Sequence, residues 1–369
     1  MDRVIHIKEG LRIFKRSLRV RINRFKQYEG SADEICRGII NDCWNGKYFQ
    51  TSIGHFCEFW TRDFSWCVTP LINIGYKDKV RKTLEYALNT FKHYNKVTTT
   101  ISPKGISFDF PYYAPDSLAS LIRSLRALDN KKLILKYKDF LNNEIKKFEN
   151  VVTDKKTGLV KKEKFSSIKD LSIRQSSCYD NIMAAMLKDD LVKLRVLHNP
   201  LKKYNIKKKI KDEFWNGNYF FDDLRGEEYV AGDANVFPFY SGVFTSSKML
   251  KKSIESIKKA KLDRPFPLKY TSGHPDHQWR VEEFFAPNYE GNTIWAHLGM
   301  IYLTLLKKVD KSSFEMHMQK YKELIQQNKN FLELYTPDGK VYKSPFYYAD
   351  EGMLWSSIFL ELYNEFEKK

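Results

Sequence analysis

The stretch Ile294-Trp295-Ala296-His297-Leu298-Gly299-Met300-Ile301-Tyr302-Leu303-Thr304-Leu305-Leu306 contains no Lys, Arg, Asp or Glu. It is longer than an ordinary strand and too short for a bilayer, which takes about 20 apolar residues. A helix that is apolar on every side has to be buried on every side, inside a larger assembly. Four further segments read the same way: Phe64 to Ile74, Ile182 to Leu187, Val236 to Phe244 and Met353 to Leu362. A fifth, Leu118 to Leu128, is more polar but keeps apolar residues at 118, 121, 122, 125 and 128.

Between these lie charged, amphipathic segments. The clearest is Lys77 to Tyr94, where Val80, Leu84, Leu88 and Phe91 share one helical face. Similar outer helices are expected over 31–43, 131–150, 199–214, 247–260 and 311–334. Inner helices begin near residues 63, 116, 176, 235, 292 and 352, a repeat of roughly 53–60 residues. The stretch Trp44-Asn45-Gly46-Lys47-Tyr48-Phe49 also recurs as Trp215-Asn216-Gly217-Asn218-Tyr219-Phe220, each copy after an outer helix. Six inner and six outer helices in strict alternation predict an all-α fold, an (α/α)6 barrel of six helical hairpins. The barrel is expected over 30–369, with residues 1–29 forming a basic helical extension that packs on it.

Composition narrows the class. Of 369 residues, 42% are hydrophobic, enough for a large core, and 15% are aromatic, more than packing requires. No run reaches the length of a membrane span, and the N-terminus lacks the apolar run and small-residue site of a secretory signal. Cys36, Cys43, Cys57, Cys67 and Cys178 fit neither a disulfide framework nor zinc spacing, so reduced thiols and a cytoplasmic location are expected. The net charge of +18 is spread along the chain, with one local excess in residues 1–26, where nine Arg/Lys face two acids. Ile5, Leu11, Phe14, Leu18, Ile22 and Phe25 are interleaved there. Such a segment suits an extra helix across the barrel, an anionic membrane surface or RNA, and the first is expected. No obligatory nucleic-acid partner is expected, and the sequence leaves the oligomeric state open.

In such a ring all inner-helix N-termini line one mouth. Unpaired N–H groups and partial positive charge favour carboxylates and polar ligands there. The connections entering these helices are Phe59-Trp60-Thr61-Arg62-Asp63, Tyr112-Tyr113-Ala114-Pro115-Asp116-Ser117 and Asp170 to Ser177. The others are Gly232-Asp233-Ala234-Asn235, Asn288-Tyr289-Glu290-Gly291-Asn292 and Tyr347-Tyr348-Ala349-Asp350-Glu351-Gly352. Helix capping alone accounts for an Asp or Asn at such places. It does not account for the repeated Trp and Tyr, whereas flat faces of sugar rings stack on aromatics. The pattern points to a small carbohydrate as the substrate.

Trp60-Thr61-Arg62-Asp63 before an apolar helix resembles the Trp-x-Arg-Asp element of six-hairpin glycosidases. The likeness is nearest to glucoamylase-type enzymes, trehalases and glucosylglycerate hydrolases. It implies that Arg62 and Asp63 hold sugar hydroxyls. Asp116-Ser117 before a Leu-rich helix, Asn288 to His297 with Trp295, and Glu351-Gly352 before Leu354-Trp355 resemble further elements of that group. The third connection lacks the Trp-Glu context usual for the acid of glucoamylase-type enzymes.

Hydrolysis of a glycosidic bond ordinarily needs one protonated and one ionised carboxyl, about 6.5–9.5 Å apart in inverting enzymes. Glu351, from the sixth hairpin, is expected as base and Asp170, from the third, as acid, although Arg174 would lower the pKa of Asp170. Trp60, Arg62, Asp63, Tyr113, Asp116, Asp233, Asn288, Glu290, Trp295 and Trp355 are expected to bind substrate. The expected activity is inverting hydrolysis of a small α-linked glucoside or mannoside: a disaccharide, an oligosaccharide or a glycosylated small acid. The alternatives are a sugar epimerase using His55, His274, His277 or His297 as proton shuttles, and a carbohydrate-binding protein with a degenerate acid site. No phosphate loop, nucleophile elbow or metal pattern is present, so no organic cofactor and no obligatory metal are expected.

Overall fold

The computed structural model describes residues 2–367 apart from 111, 164, 166, 171 and 274–283, with side chains described from residue 7 onward. Leu171, His274, Pro275, Asp276 and His277 therefore lie outside the described residues, as does the side chain of Ile5. The six inner helices are α3 (Thr61–Asn73), α5 (Pro115–Leu128), α8 (Cys178–Leu194), α10 (Gly232–Tyr240), α12 (Ala296–Leu306) and α14 (Ser356–Phe366). Each packs against the next, and α14 returns to α3, so the ring closes.

The outer layer is α2 (Ala32–Asp42), α4 (Lys77–Tyr94), α7 (Lys138–Val152), α9 (Ile206–Phe214), α11 (Ser247–Lys259) and α13 (Lys311–Asn328). A short α6 (Lys131–Lys136) precedes α7, and the helix α1 (Asp2–Asn23) precedes the barrel. The all-α (α/α)6 barrel is thus the architecture. Among the described residues no helix is long and apolar enough to cross a membrane.

Burial follows the sequence pattern. All of Ala296 to Leu306 except Thr304 is buried, whereas α4 buries Val80, Leu84, Leu88 and Phe91 and presents its lysines outward. Each large apolar side chain fully removed from water contributes about 1.5–3 kcal/mol, so the inner ring supplies much of the driving force for folding. Gly299 is required where it stands. A Cβ there would lie 2.5 Å from the Pro267 carbonyl oxygen.

Three outer segments depart from expectation. The expected helix 131–150 breaks at Tyr137, and 199–214 divides into a 3₁₀ turn (Pro200–Lys203) and α9. The segment 311–334 leaves helix at Lys329, which is left-handed (φ 49°). Its last residues enter β5 (Leu334–Tyr335), which pairs antiparallel with β4 (Ile294–Trp295) at the start of α12. On the other side, β1 (Phe59–Trp60) leads into α3 and pairs with β2 (Thr100–Ile101), which pairs with β3 (Ser107–Phe108).

The Trp-Asn-Gly repeat is a structural device. In both copies the Trp and Phe form an antiparallel bridge, and the Asn Oδ1 accepts two backbone amides at 3.0 Å. Gly46 and Gly217 take the positive φ (92° and 100°) that the turn demands.

Candidate functional site

The first turns of the inner helices meet at one end of the barrel. Arg62 at the start of α3 pairs through Nε with Asp116 Oδ2 of α5 at 2.6 Å, and Tyr179 of α8 donates to the same oxygen at 2.9 Å. Trp355, the residue before α14, donates Nε1–H to Asp63 Oδ1 at 3.1 Å. His297 of α12 lies 4.7 Å from the Trp355 ring and stacks on Trp66 of α3 at 4.9 Å. Five of the six inner helices are joined by these contacts alone.

The acids are not helix caps. The residues at the caps of α3, α5 and α10 are Trp60, Ala114 and Ala231, none with a side-chain capping bond, while Asp63, Asp116 and Asp233 sit inside the first turn. The macrodipole favours negative charge there, but it does not require Arg62 to be buried against Asp116.

Burial sets the electrostatics. Arg62 is almost fully enclosed; desolvation opposes its charge, and Asp116, Asp170, Tyr179 and Asp63 outweigh that effect and raise its pKa. Asp63 is pushed up to about 6 by burial, against the pull of Arg62 and of the Trp355 N–H. Asp170 is raised well above the ordinary carboxylate range, first by burial and then by Glu290, Asp116 and Asp63, with Arg62 opposing. Its Oδ1 stands 4.0 Å from the Arg62 guanidinium and has no hydrogen-bond partner among the described residues. Arg174, set against Asp170 by the sequence spacing, is bonded to other acids. It turns away to Asp233 (2.9 Å), Asp222 (3.3 Å) and the Ser167 hydroxyl.

Asp233 therefore belongs to a buried ion network with Arg174, and Lys169 joins the same network through Asp222 at 2.9 Å. Glu290 is buried and accepts the amides of Asp170 (2.5 Å) and Ser172 (3.1 Å), which fixes the loop that carries Asp170. Trp295 donates Nε1–H to the Tyr289 carbonyl at 2.8 Å and packs edge-on against the Tyr289 ring at 4.7 Å. Asn288 is exposed, with φ 58°, in the turn before Glu290. Trp60 in β1 and Tyr113 on the loop before α5 are half-buried, Trp60 between Phe56 and Phe110 and Tyr113 beside Phe165.

Glu351 faces elsewhere. Its Oε1 accepts Arg16 of α1 at 2.5 Å, and its Oε2 accepts the Lys26 amide at 2.5 Å and the Asn330 amide side chain at 3.4 Å. The neighbouring Asp350 ties two loops together. Its Oδ1 accepts the His55 amide (2.9 Å), and its Oδ2 accepts the Phe56 amide (3.0 Å) and the Ser52 hydroxyl.

A further buried acid, outside those expected from the sequence, is Glu333, just before β5. Tyr289 donates to it at 2.6 Å, Tyr347 at 2.7 Å and the Asp350 amide at 2.8 Å. Behind Tyr347 stands His55, whose Nε2 is 2.9 Å from the tyrosyl oxygen. Burial, then Asp350, lifts the Glu333 pKa to about 8 against these donors. The available signal was an acid inside the otherwise apolar run Phe331-Leu332-Glu333-Leu334-Tyr335. Asp180, in the first turn of α8, is similarly lifted to about 7 by burial. Among the described residues no group of three or more His, Cys, Asp or Glu could hold a metal ion.

No protein-family model matches the chain, and no curated protein sequence matches it. The fold has relatives among solved structures. A rhamnosidase from Klebsiella oxytoca with rhamnose bound superposes with a TM-score of 0.65 at 11% identity, over 91% of this chain and 63% of that one. This chain thus spans less than two thirds of that protein's length. A single-residue variant of a glycosidase in complex with glucose gives 0.66 at 11% identity, over 91% and 97% of the two chains. A GH78-family rhamnosidase of Bacillus sp. GL1 gives 0.63 at 12% identity, over 90% of this chain and 34% of that one. The class defined here is the (α/α)6 barrel, and glycosidases are among the proteins that share it.

Proposed function

We propose that the chain is a glycoside hydrolase, inverting, acting on a small α-linked glucoside or mannoside. The observation that carries this reading is the convergence, on one mouth, of a buried Arg62–Asp116 pair, aromatic faces, and carboxyls whose pKa burial raises. In this reading Arg62, Asp63 and Asp116 hold sugar hydroxyls, and Trp60, Tyr113 and Trp355 offer ring faces to the sugar.

Asp170 is the general acid. A raised pKa keeps its proton available, and its Oδ1, 4.0 Å from Arg62 and without a hydrogen bond among the described residues, suits a group that hands a proton to the leaving oxygen. Glu333 replaces Glu351 as the general base. Glu351 is engaged by α1, whereas Glu333 has three donors directed at its oxygens, an arrangement matched to an ionised carboxylate that takes a proton from water. Glu290, acting through the Asp170 and Ser172 amides, is a positioning residue.

The epimerase alternative asks a histidine to exchange protons near neutrality. Burial depresses His55 to about 4 and His297 well below its ordinary value, so both are neutral and poor shuttles. The test is a screen of purified protein against α-linked gluco-, manno- and rhamno-disaccharides and glucosylglycerate. Asp170→Asn should slow natural glycosides by about 10²–10⁴-fold and aryl glycosides with good leaving groups far less. Equal losses on both substrate types would remove Asp170 from the acid role, and no hydrolysis of any substrate would reject the reading.

A further inference from the structure

The helix α1 is turned the opposite way from an ordinary surface helix. Arg12 bonds the Glu58 carboxylate and the His55 carbonyl, Arg16 holds Glu351, and Ser17 and Val20 are buried against the barrel. Its outward face carries Ile7 (63% exposed), Leu11 (54%), Leu18 (41%) and Ile22 (80%). Their spacing of four, seven and four places them in one stripe along the helix. Exposed Lys8, Lys15 and Arg19 run along one margin of the stripe, and on the other Arg21 bonds the Ser344 and Tyr347 carbonyls. Glu9, the one acid among the described side chains of the helix, is turned inward to Arg12 at 2.6 Å. Phe14 continues the apolar surface to Phe346, which packs against Phe284 and Phe285, themselves 60% and 44% exposed.

We propose that this face docks on an anionic lipid surface. An apolar stripe bordered by a row of cations is the pattern of a helix lying in the plane of a membrane interface, its apolar side chains among the acyl chains and its cations at the head groups. A second copy is a poor occupant, because it would set Lys and Arg against Lys and Arg with no acid on the stripe to compensate. Nucleic acid is a poor one too, since phosphates need the cations central and the centre here is Ile and Leu. The molecule's net charge of +18 adds attraction of the same sign. The inward arginines rest on the loops that enter the first and sixth inner helices, so docking holds the barrel against the lipid by its rim.

The test is co-sedimentation of the full chain with phosphatidylcholine vesicles, with and without about one third phosphatidylglycerol, at low and at physiological salt. Binding to the anionic vesicles alone, weakened by salt, is expected. Leu11→Ser with Leu18→Ser, and separately Lys15→Glu with Arg19→Glu, should each weaken it by about ten- to a hundred-fold, with thermal melting unchanged. Equal binding by wild type and both variants, or no preference for anionic vesicles, would overturn the proposal. So would a concentration-dependent dimer, or binding to single-stranded RNA, that Leu11→Ser with Leu18→Ser abolishes while vesicles are ignored.

Discussion

Under the proposed function, Glu333 concentrates the chemistry and the cost of the site in one side chain. Its folded pKa near 8 stands above its ordinary value of 4.5, so the folded state binds the proton more tightly than the unfolded chain. The stabilisation from that proton is complete below about pH 4.5 and is lost as pH rises through about 8. Glu333→Gln should therefore flatten the decline of melting temperature between pH 5 and 8; an unchanged slope would show that Glu333 does not carry that linkage. For activity the sign reverses. A base works ionised, so kcat/KM should rise with pH on a limb set near 8, and a limb at 4 to 5 would contradict the assignment. Removing one donor by Tyr347→Phe should push that limb further alkaline, measurable in the same pH profile. At this scale the sequence was only partly readable. Arg62 and Asp63 were expected at the mouth because they open α3, and Asp170 because it lies on the connection into α8, whereas Glu333 was hidden by a helical pattern that seemed to run on through 334.

Among the elements, the last connection does the most to hold the mouth together. Asp350 binds the loop 52–56, and Gly54 leaves room for it: a Cβ at that position would lie 1.7 Å from Asp350 Oδ1. Gly54→Ala should cost about 1–3 kcal/mol by denaturant melting, and a change near zero would mean the loop can move aside. The Arg16–Glu351 pair docks α1 in the same region, with 22% of the Arg side chain and 3% of the Glu exposed. Glu351→Gln should lower stability by about 1–3 kcal/mol and leave turnover within a few-fold. Helix positions were legible from period alone, because inner and outer segments differ in charge. Their breaks at Tyr137 and Lys329 were not, since a single residue leaving helical geometry carries no apolar signal. The Trp-Asn-Gly repeat was visible as a repeat, and its purpose as a turn emerged only with the amides on Asn45 and Asn216.

Across the whole molecule, ring closure brings residues from α3, α5, α8, α12 and α14 within bonding or stacking distance at one end. That convergence followed from sequence, since six parallel inner helices put six N-termini together. The orientation of each side chain did not follow, and Asp233 and Glu351 show why. Both stand at the expected helix starts, yet a buried Arg174 takes the first and the N-terminal helix takes the second. The most direct test of the account is hydrolysis of an α-linked disaccharide followed by NMR of the released anomer, in wild type, Glu333→Gln and Glu351→Gln. The account predicts inversion by wild type, a loss of about 10²–10⁴-fold in Glu333→Gln, and near-normal turnover in Glu351→Gln. Full activity in Glu333→Gln with loss in Glu351→Gln would contradict it.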